Sequence, residues 1–374
     1  MIPGDCHHFS VPNCAAGVAR TTGRYPRAFA LASHQISPMT RACFLLLGRS
    51  ALLISLAALG APLQAQLPTS SAGPATVEGP SVTLTPQRPE IGSFVRLTIR
   101  RANRPGDSLT AVTGWMAGDP LHFQLDTDGN VRALAAIPLE ASDSVVARIA
   151  LHFASGAVDS LQTLIPYAHR PAPAGGKASA RRLRVSRVYT ARPDALTEAR
   201  IERENELARA VGRHAHETPI LWTEPFERPR DSRITSVFGS GRLFNGRLSS
   251  SHGGVDFSGQ PRDPVRAANR GVVALVENFF LAGNVVYIDH GGGVVTGYFH
   301  LTEATVAVGD TVERGQQIGL VGATGRVTGP HLHWSARYGV HTVDPMGLIE
   351  LTANSAPQPR RTSSQAGSRD RNLD

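Results

Sequence analysis

Three short stretches of the chain place histidines among glycines and strand-forming residues. They are Ser251-His252-Gly253-Gly254-Val255-Asp256-Phe257, Gly297-Tyr298-Phe299-His300-Leu301 and Thr328-Gly329-Pro330-His331-Leu332-His333-Trp334. In a strand, residues i and i+2 face the same side, roughly 6.6 Å apart at ~3.3 Å rise per residue. His331 and His333 therefore project together into one site, while Leu332 and Trp334 face the opposite, core side. His252 and Asp256 would be ~13 Å apart in a straight strand, but Gly253-Gly254 permits a bend that closes the gap. An N,O ligand set of His252, Asp256 and His333 leaves one tetrahedral position open, the pattern of a catalytic rather than a structural zinc. One zinc ion per chain is expected.

Other histidines fit plainer roles. His214-Ala215-His216 ends a predicted helix, where i and i+2 do not share a face, so a helix-terminal or solvated role is expected. His341 reads as a hairpin residue. His290 precedes Gly291-Gly292-Gly293 and is assigned to the turn or to the lining of a substrate cleft, and Asn245 to the rim of that cleft or to packing.

The remaining chain must position these groups. Of its 374 residues, 41% are hydrophobic and 18% charged, which fits a globular protein and not a chain disordered throughout. The formal charge is +8, carried almost entirely by arginine because Lys177 is the one lysine. That excludes a P-loop, which needs G-K-[ST]. It also excludes a lipoyl or biotinyl carrier hairpin over Val308–Gly319, which needs a lysine at the turn. Residues 1–65 hold five of the arginines against a single acid, Asp5, so the rest of the chain is only mildly basic and nucleic-acid binding is not expected.

Met39, Arg41, the apolar run Ala51–Ala61 and Ala65 form a basic segment, a short hydrophobic core and a cleavage site. The run falls short of the ~20 residues of a membrane span, so export without a stable membrane anchor is expected, to the periplasm or cell envelope. Residues 1–38 are read as upstream of a start at Met39. Cys6, Cys14 and Cys43 all precede the cut, so metal ligands must be His, Asp or Glu.

Residues 1–65 are thus upstream sequence and signal peptide, 66–80 a linker, and 81–169 regularly spaced short strands forming a β-sandwich. A second linker spans 170–183. The segment 184–225 is a helical connector with a helix capped at Thr197 and running to about Gly212, expected to pack between domains or onto the next one. Strands and glycine turns fill 226–351, and 352–374 is a polar tail. The fold class is mainly β.

From about Phe226 to Leu348 the chain resembles the lysostaphin-type zinc metallopeptidases, which cut peptide cross-links of bacterial peptidoglycan. The resemblance rests on the three histidine stretches in order and on Ile234-Thr235-Ser236-Val237-Phe238-Gly239, Phe244-Asn245-Gly246, Val286–Gly291, Val308–Val312 and Arg314–Gly319. It implies an antiparallel β-sheet peptidase domain, zinc held by His252, Asp256 and His333, and catalytic roles for His300 and His331. His331 is expected as general base and His300 as oxyanion stabiliser, with the roles exchangeable or shared. The strands before it resemble, more loosely, an immunoglobulin-like module. Peptidoglycan peptide is the implied substrate. A catalytically silent relative regulating another wall hydrolase is the alternative, disfavoured because all five residues are present.

Overall fold

A computed structural model describes residues 79–353, apart from 102–103, 126–128, 143, 170–180 and 247. The expected signal peptide and most of both linkers and of the tail lie outside these residues.

The first part is built from β1 (Ser81–Thr85), β2 (Phe94–Arg100), β3 (Leu109–Met116), β4 (Asp119–Pro120), β5 (His122–Leu125), β6 (Val131–Ala136), β7 (Val145–Phe153) and β8 (Val158–Ile165). Two four-stranded antiparallel sheets result, β1-β2-β6-β5 and β4-β3-β7-β8. The period-2 pattern explains them: Val95, Leu97 and Ile99 from β2 and Ala147, Ile149 and Leu151 from β7 point inward to one core, with Arg96 and Arg148 on the other face. The order follows the ABED and CFG sheets of an immunoglobulin-like sandwich, with β4 as a short extra edge.

The connector contains β9 (Arg181–Leu183), a 3-10 turn at Arg187–Tyr189 and α1 (Ala195–His214). Asp194, not Thr197, caps α1: its carboxylate accepts from the Thr197 N–H at 2.7 Å. A carboxylate three residues earlier meets the orphan N–H that Thr197 itself exposes. Ala208, Leu207 and Val211 lay the helix on Phe279, Val285, Tyr287 and Val295. Buried Glu204 accepts from Phe280 N at 2.8 Å, fixing that seat.

The last part comprises β10 (Ile234–Ser236), β11 (Gly241–Phe244), β12 (Leu248–Ser251), β13 (Val255–Ser258), β14 (Pro264–Arg266), β15 (Gly271–Phe279), β16 (Gly283–Gly291), β17 (Val294–Ala304), β18 (Thr311–Val312), β19 (Gln317–Val321), β20 (His331–Tyr338), β21 (His341–Val343) and α2 (Met346–Ala353). The main sheet runs β10-β13-β20-β17-β16-β15-β18, with β14, β19 and β21 attached. A small sheet, β12-β11-β9, takes its third strand from the connector, with β9 parallel to β11.

The sandwich packs directly on this sheet. Phe94 and Ala136 belong to the same buried cluster as Trp334, Tyr338 and Leu348. Arg96 Nη1 donates to Leu351 O at 2.9 Å, and the Tyr338 hydroxyl to Pro120 O at 2.8 Å. Phe94→Ala should cost about 3–5 kcal/mol, the usual loss for truncating a buried phenylalanine. Urea unfolding followed by tryptophan fluorescence checks this. Trp115 in the sandwich and Trp334 in the sheet should report one shared, weakened transition. Two separate transitions in the native protein would contradict the shared core.

Candidate metal centre

Neighbouring strands bring the ligands together. β13 and β20 pair antiparallel with Asp256 opposite His333 and Ser258 opposite His331. β17 lies on the other side of β20, with Phe299 opposite His333. The chain leaves β12 at Ser251 and re-enters a strand at Val255, so residues 252–254 form the bend that the two glycines permit. Gly254 is required: a Cβ there would meet Trp334 O at 2.3 Å and His333 Nε2 at 2.8 Å.

The bend brings His252 Nε2 to 2.9 Å from Asp256 Oδ1. His333 Nδ1 lies 2.9 Å from the same oxygen and 2.8 Å from His252 Nε2. All three residues are buried, with ligand atoms within 4.8 Å of one another. The His252 Nδ1–H donates to Val237 O at 3.0 Å, with Ser236 Oγ at 3.1 Å, which leaves Nε2 as a bare lone pair. Two imidazole nitrogens and a carboxylate oxygen therefore face one another with too few protons between them. Such a set of converging donors suits a cation. Their spacing is near the ~3.3 Å edge of a tetrahedron with ~2.0–2.1 Å bonds, so the donor set fits zinc.

Arg242 supports the site from behind. Its Nη2 donates to Asp256 Oδ2 and, at 3.3 Å, to Ser236 Oγ. Burial pushes the Asp256 carboxyl up, but His252 and His333, when they carry protons towards it, outweigh burial and hold its pKa below the usual carboxylate range. Burial pushes His333 down to about 4.

His300 and His331 stand beside this set, their ring centroids 5.0 Å apart, with His300 5.9 Å from His333. The His300 Nδ1–H donates to Thr324 O at 2.9 Å, and the His331 Nδ1–H to Gly329 O at 2.8 Å. With Nδ1 so bonded, Nε2 of each ring faces the site, and that of His331 lies 3.7 Å from Asp256 Oδ1. Burial, then the neighbouring His331 and His333, keep His300 well below its ordinary pKa. Phe299 stacks on His333 with centroids 5.2 Å apart.

The two expected cleft residues lie elsewhere. Asn245 turns the β11–β12 hairpin with φ of 48°. Its side chain bonds Val185 N at 3.0 Å, Val185 O at 2.9 Å and Thr190 Oγ1 at 3.1 Å, so it ties down the connector. His290 is 0% exposed, with Nδ1 donating to Arg270 O at 2.8 Å and Nε2 meeting the Thr296 hydroxyl at 2.7 Å. A substrate cannot reach it. His216 is not solvated either: it is largely buried, stacking on His122 with centroids 5.2 Å apart.

Burial pulls the His290 pKa down to about 4, below the ~6.5 of an unfolded histidine. The unfolded chain takes up its proton first, so stability is full above pH ~6.5 and falls as pH drops from there towards 4. The loss is on the order of 3 kcal/mol. Urea unfolding across that window checks it, and His290→Gln should flatten the acid side of the curve.

Sequence reasoning missed Arg242, Ser236, Thr324 and Phe299. Ser236 lies inside the stretch Ile234–Gly239, whereas Arg242 lies three residues beyond it and pairs with Asp256 only once the hairpin folds back.

Comparisons with known proteins agree with this geometry. Residues 250–345 match the peptidase family M23 model, and the chain carries a domain of that family. A peptidoglycan DD-endopeptidase from Vibrio cholerae, ShyA, is 42% identical over 137 residues, covering 36% of this chain and 32% of the relative. A DD-carboxypeptidase/endopeptidase from Neisseria meningitidis, Mpg, is 41% identical over 120 residues, covering 31% and 27%. The chain therefore spans about a third or less of the length of these relatives. A crystal structure described as a peptidase M23 from Pseudomonas aeruginosa superposes with a TM-score of 0.52 at 24% identity, over 70% of this chain and 95% of the other, a likeness of fold.

Proposed function

We propose that this protein is an exported zinc metalloendopeptidase that hydrolyses peptide cross-links of cell-wall peptidoglycan. The observation that carries the reading is the convergence of His252, Asp256 and His333 on one point, with His300 and His331 beside it. The names of the relatives supply the substrate class. Residues 39–65 supply the export signal, and among the described residues no helix is long and apolar enough to cross a membrane.

His252, Asp256 and His333 would hold the ion. Bound there, a divalent metal lowers the pKa of water to about 7 and polarises a carbonyl oxygen. His300, buried and neutral with a bare Nε2, suits the general base that takes a proton from the attacking water. His331 is less buried and stands close to Asp256. It suits the protonated partner that donates from Nε2 to the developing oxyanion and then to the leaving amine. This exchanges the roles expected from sequence. Thr324 O and Gly329 O each engage Nδ1 and so turn Nε2 of both rings towards the reacting groups.

The reading is tested by mass spectrometry of purified sacculi digested with the mature protein, with and without chelator. New amino termini at the cross-links that vanish with chelator support it. Intact sacculi with a metal-loaded protein would favour the silent regulator.

A further inference from the structure

A groove of about 320 Å³ opens beside Asp256 and His331. Its walls are β9, β10, β11 and the loop before β20, and it holds four guanidiniums, those of Arg181, Arg233, Arg242 and Arg326. Asp256 is the one carboxylate on its lining, and Arg242 already pairs with it. Among the described residues no carboxylate pairs with the other three. Arg181 donates only to a backbone oxygen, Thr235 O, at 3.1 Å. Arg326 lies over the Phe244 ring, its Cζ 4.1 Å from the centroid, which leaves the guanidinium edge without an acid. The charges sense one another. Burial and then Arg242 hold the Arg326 pKa below its ordinary value. A divalent ion at the adjacent site would add to this unbalanced positive field.

We propose that the groove is a carboxylate-binding subsite, in which Arg181, Arg233 and Arg326 hold acidic groups of the substrate peptide beside the scissile bond. The proposal rests on the endopeptidase reading and narrows its substrate. The planar fork of arginine matches a carboxylate with two parallel hydrogen bonds. A D-alanyl–diaminopimelate cross-link carries a free carboxylate on the carbon next to the acylated nitrogen, whereas a glycine bridge carries none along its length. The groove therefore selects the acidic cross-link. The connector strand β9 takes part in that selection, because it delivers Arg181.

The test uses the full mature chain, metal-loaded, and a soluble cross-linked peptide dimer in two forms, one with free carboxylates and one with all of them amidated. Binding is measured by calorimetry in a His300→Asn background, where the dimer stays intact, and cleavage in the native protein. The free-acid dimer should bind at least about tenfold more tightly at low salt, and the advantage should shrink as salt rises. Arg181→Gln and Arg233→Gln, both at exposed positions, should each lower the free-to-amidated ratio several-fold. Equal binding of the two forms, no binding of either, or a ratio that both variants leave unchanged would overturn the subsite. A preserved ratio with no cleavage of either dimer would count against the peptidase reading and leave the subsite supported.

Discussion

Alanine at His252 or His333 is expected to weaken divalent-metal binding by more than about 100-fold and to abolish hydrolysis with it. The bound is set by comparison. Removing a residue that merely orients a ligand costs ~10–100-fold in affinity, and these two are the ligands themselves. The loss also leaves Asp256 facing Arg242 with no opposing cation, so the remaining pair should relax towards that arginine. Metal content after passage through a chelating column, together with a competition titration, measures the effect. A His333→Ala protein that retained one equivalent of zinc would show that the ion sits elsewhere. Arg242→Ala provides the graded comparison. It keeps all three ligands but frees Asp256 Oδ2, and its affinity should fall within the ~10–100-fold range.

Replacing His300 should do the opposite, leaving the metal in place and removing turnover by about 10²–10⁴-fold, the range of a positioned general base. The choice of substitute matters. His300 sits at φ of 62°, a left-handed conformation that asparagine adopts more readily than alanine. His300→Asn therefore separates lost chemistry from backbone strain. His331→Ala should lose about 10²–10³-fold, as expected for one oxyanion donor. Single-turnover kinetics on a soluble cross-linked peptide, with zinc measured on the same samples, distinguish the cases. A His300→Asn protein that is slow only because it has lost zinc would remove the base assignment.

Much of the site was legible because its determinants are local. The H-x-H alternation follows from strand period alone, and Leu332 and Trp334 are fully buried on the far side as that period requires. The bend at Gly253-Gly254 was likewise readable, since two residues without Cβ are what a close approach to His333 demands. What escaped was set by tertiary packing. Nothing in Asn245-Gly246 says that the asparagine amide will be used by a connector 60 residues earlier. Nothing in His290-Gly291 says that Phe226 and Thr296 will close over the ring. The α1 cap lies at Asp194 and not at the expected Thr197 because aspartate three residues earlier is an equally good cap type, and only the backbone geometry chooses between them.

The contact through Phe94 bears on how the molecule works as a whole. Two sheets that share buried side chains cannot swing about a tether, whatever the length of the polar segment joining them. The span between the sandwich's outer face and the histidines of the metal centre is then a constant of the molecule. On the proposed peptidase reading, anything held against the sandwich's outer face would meet the metal centre at that one reach.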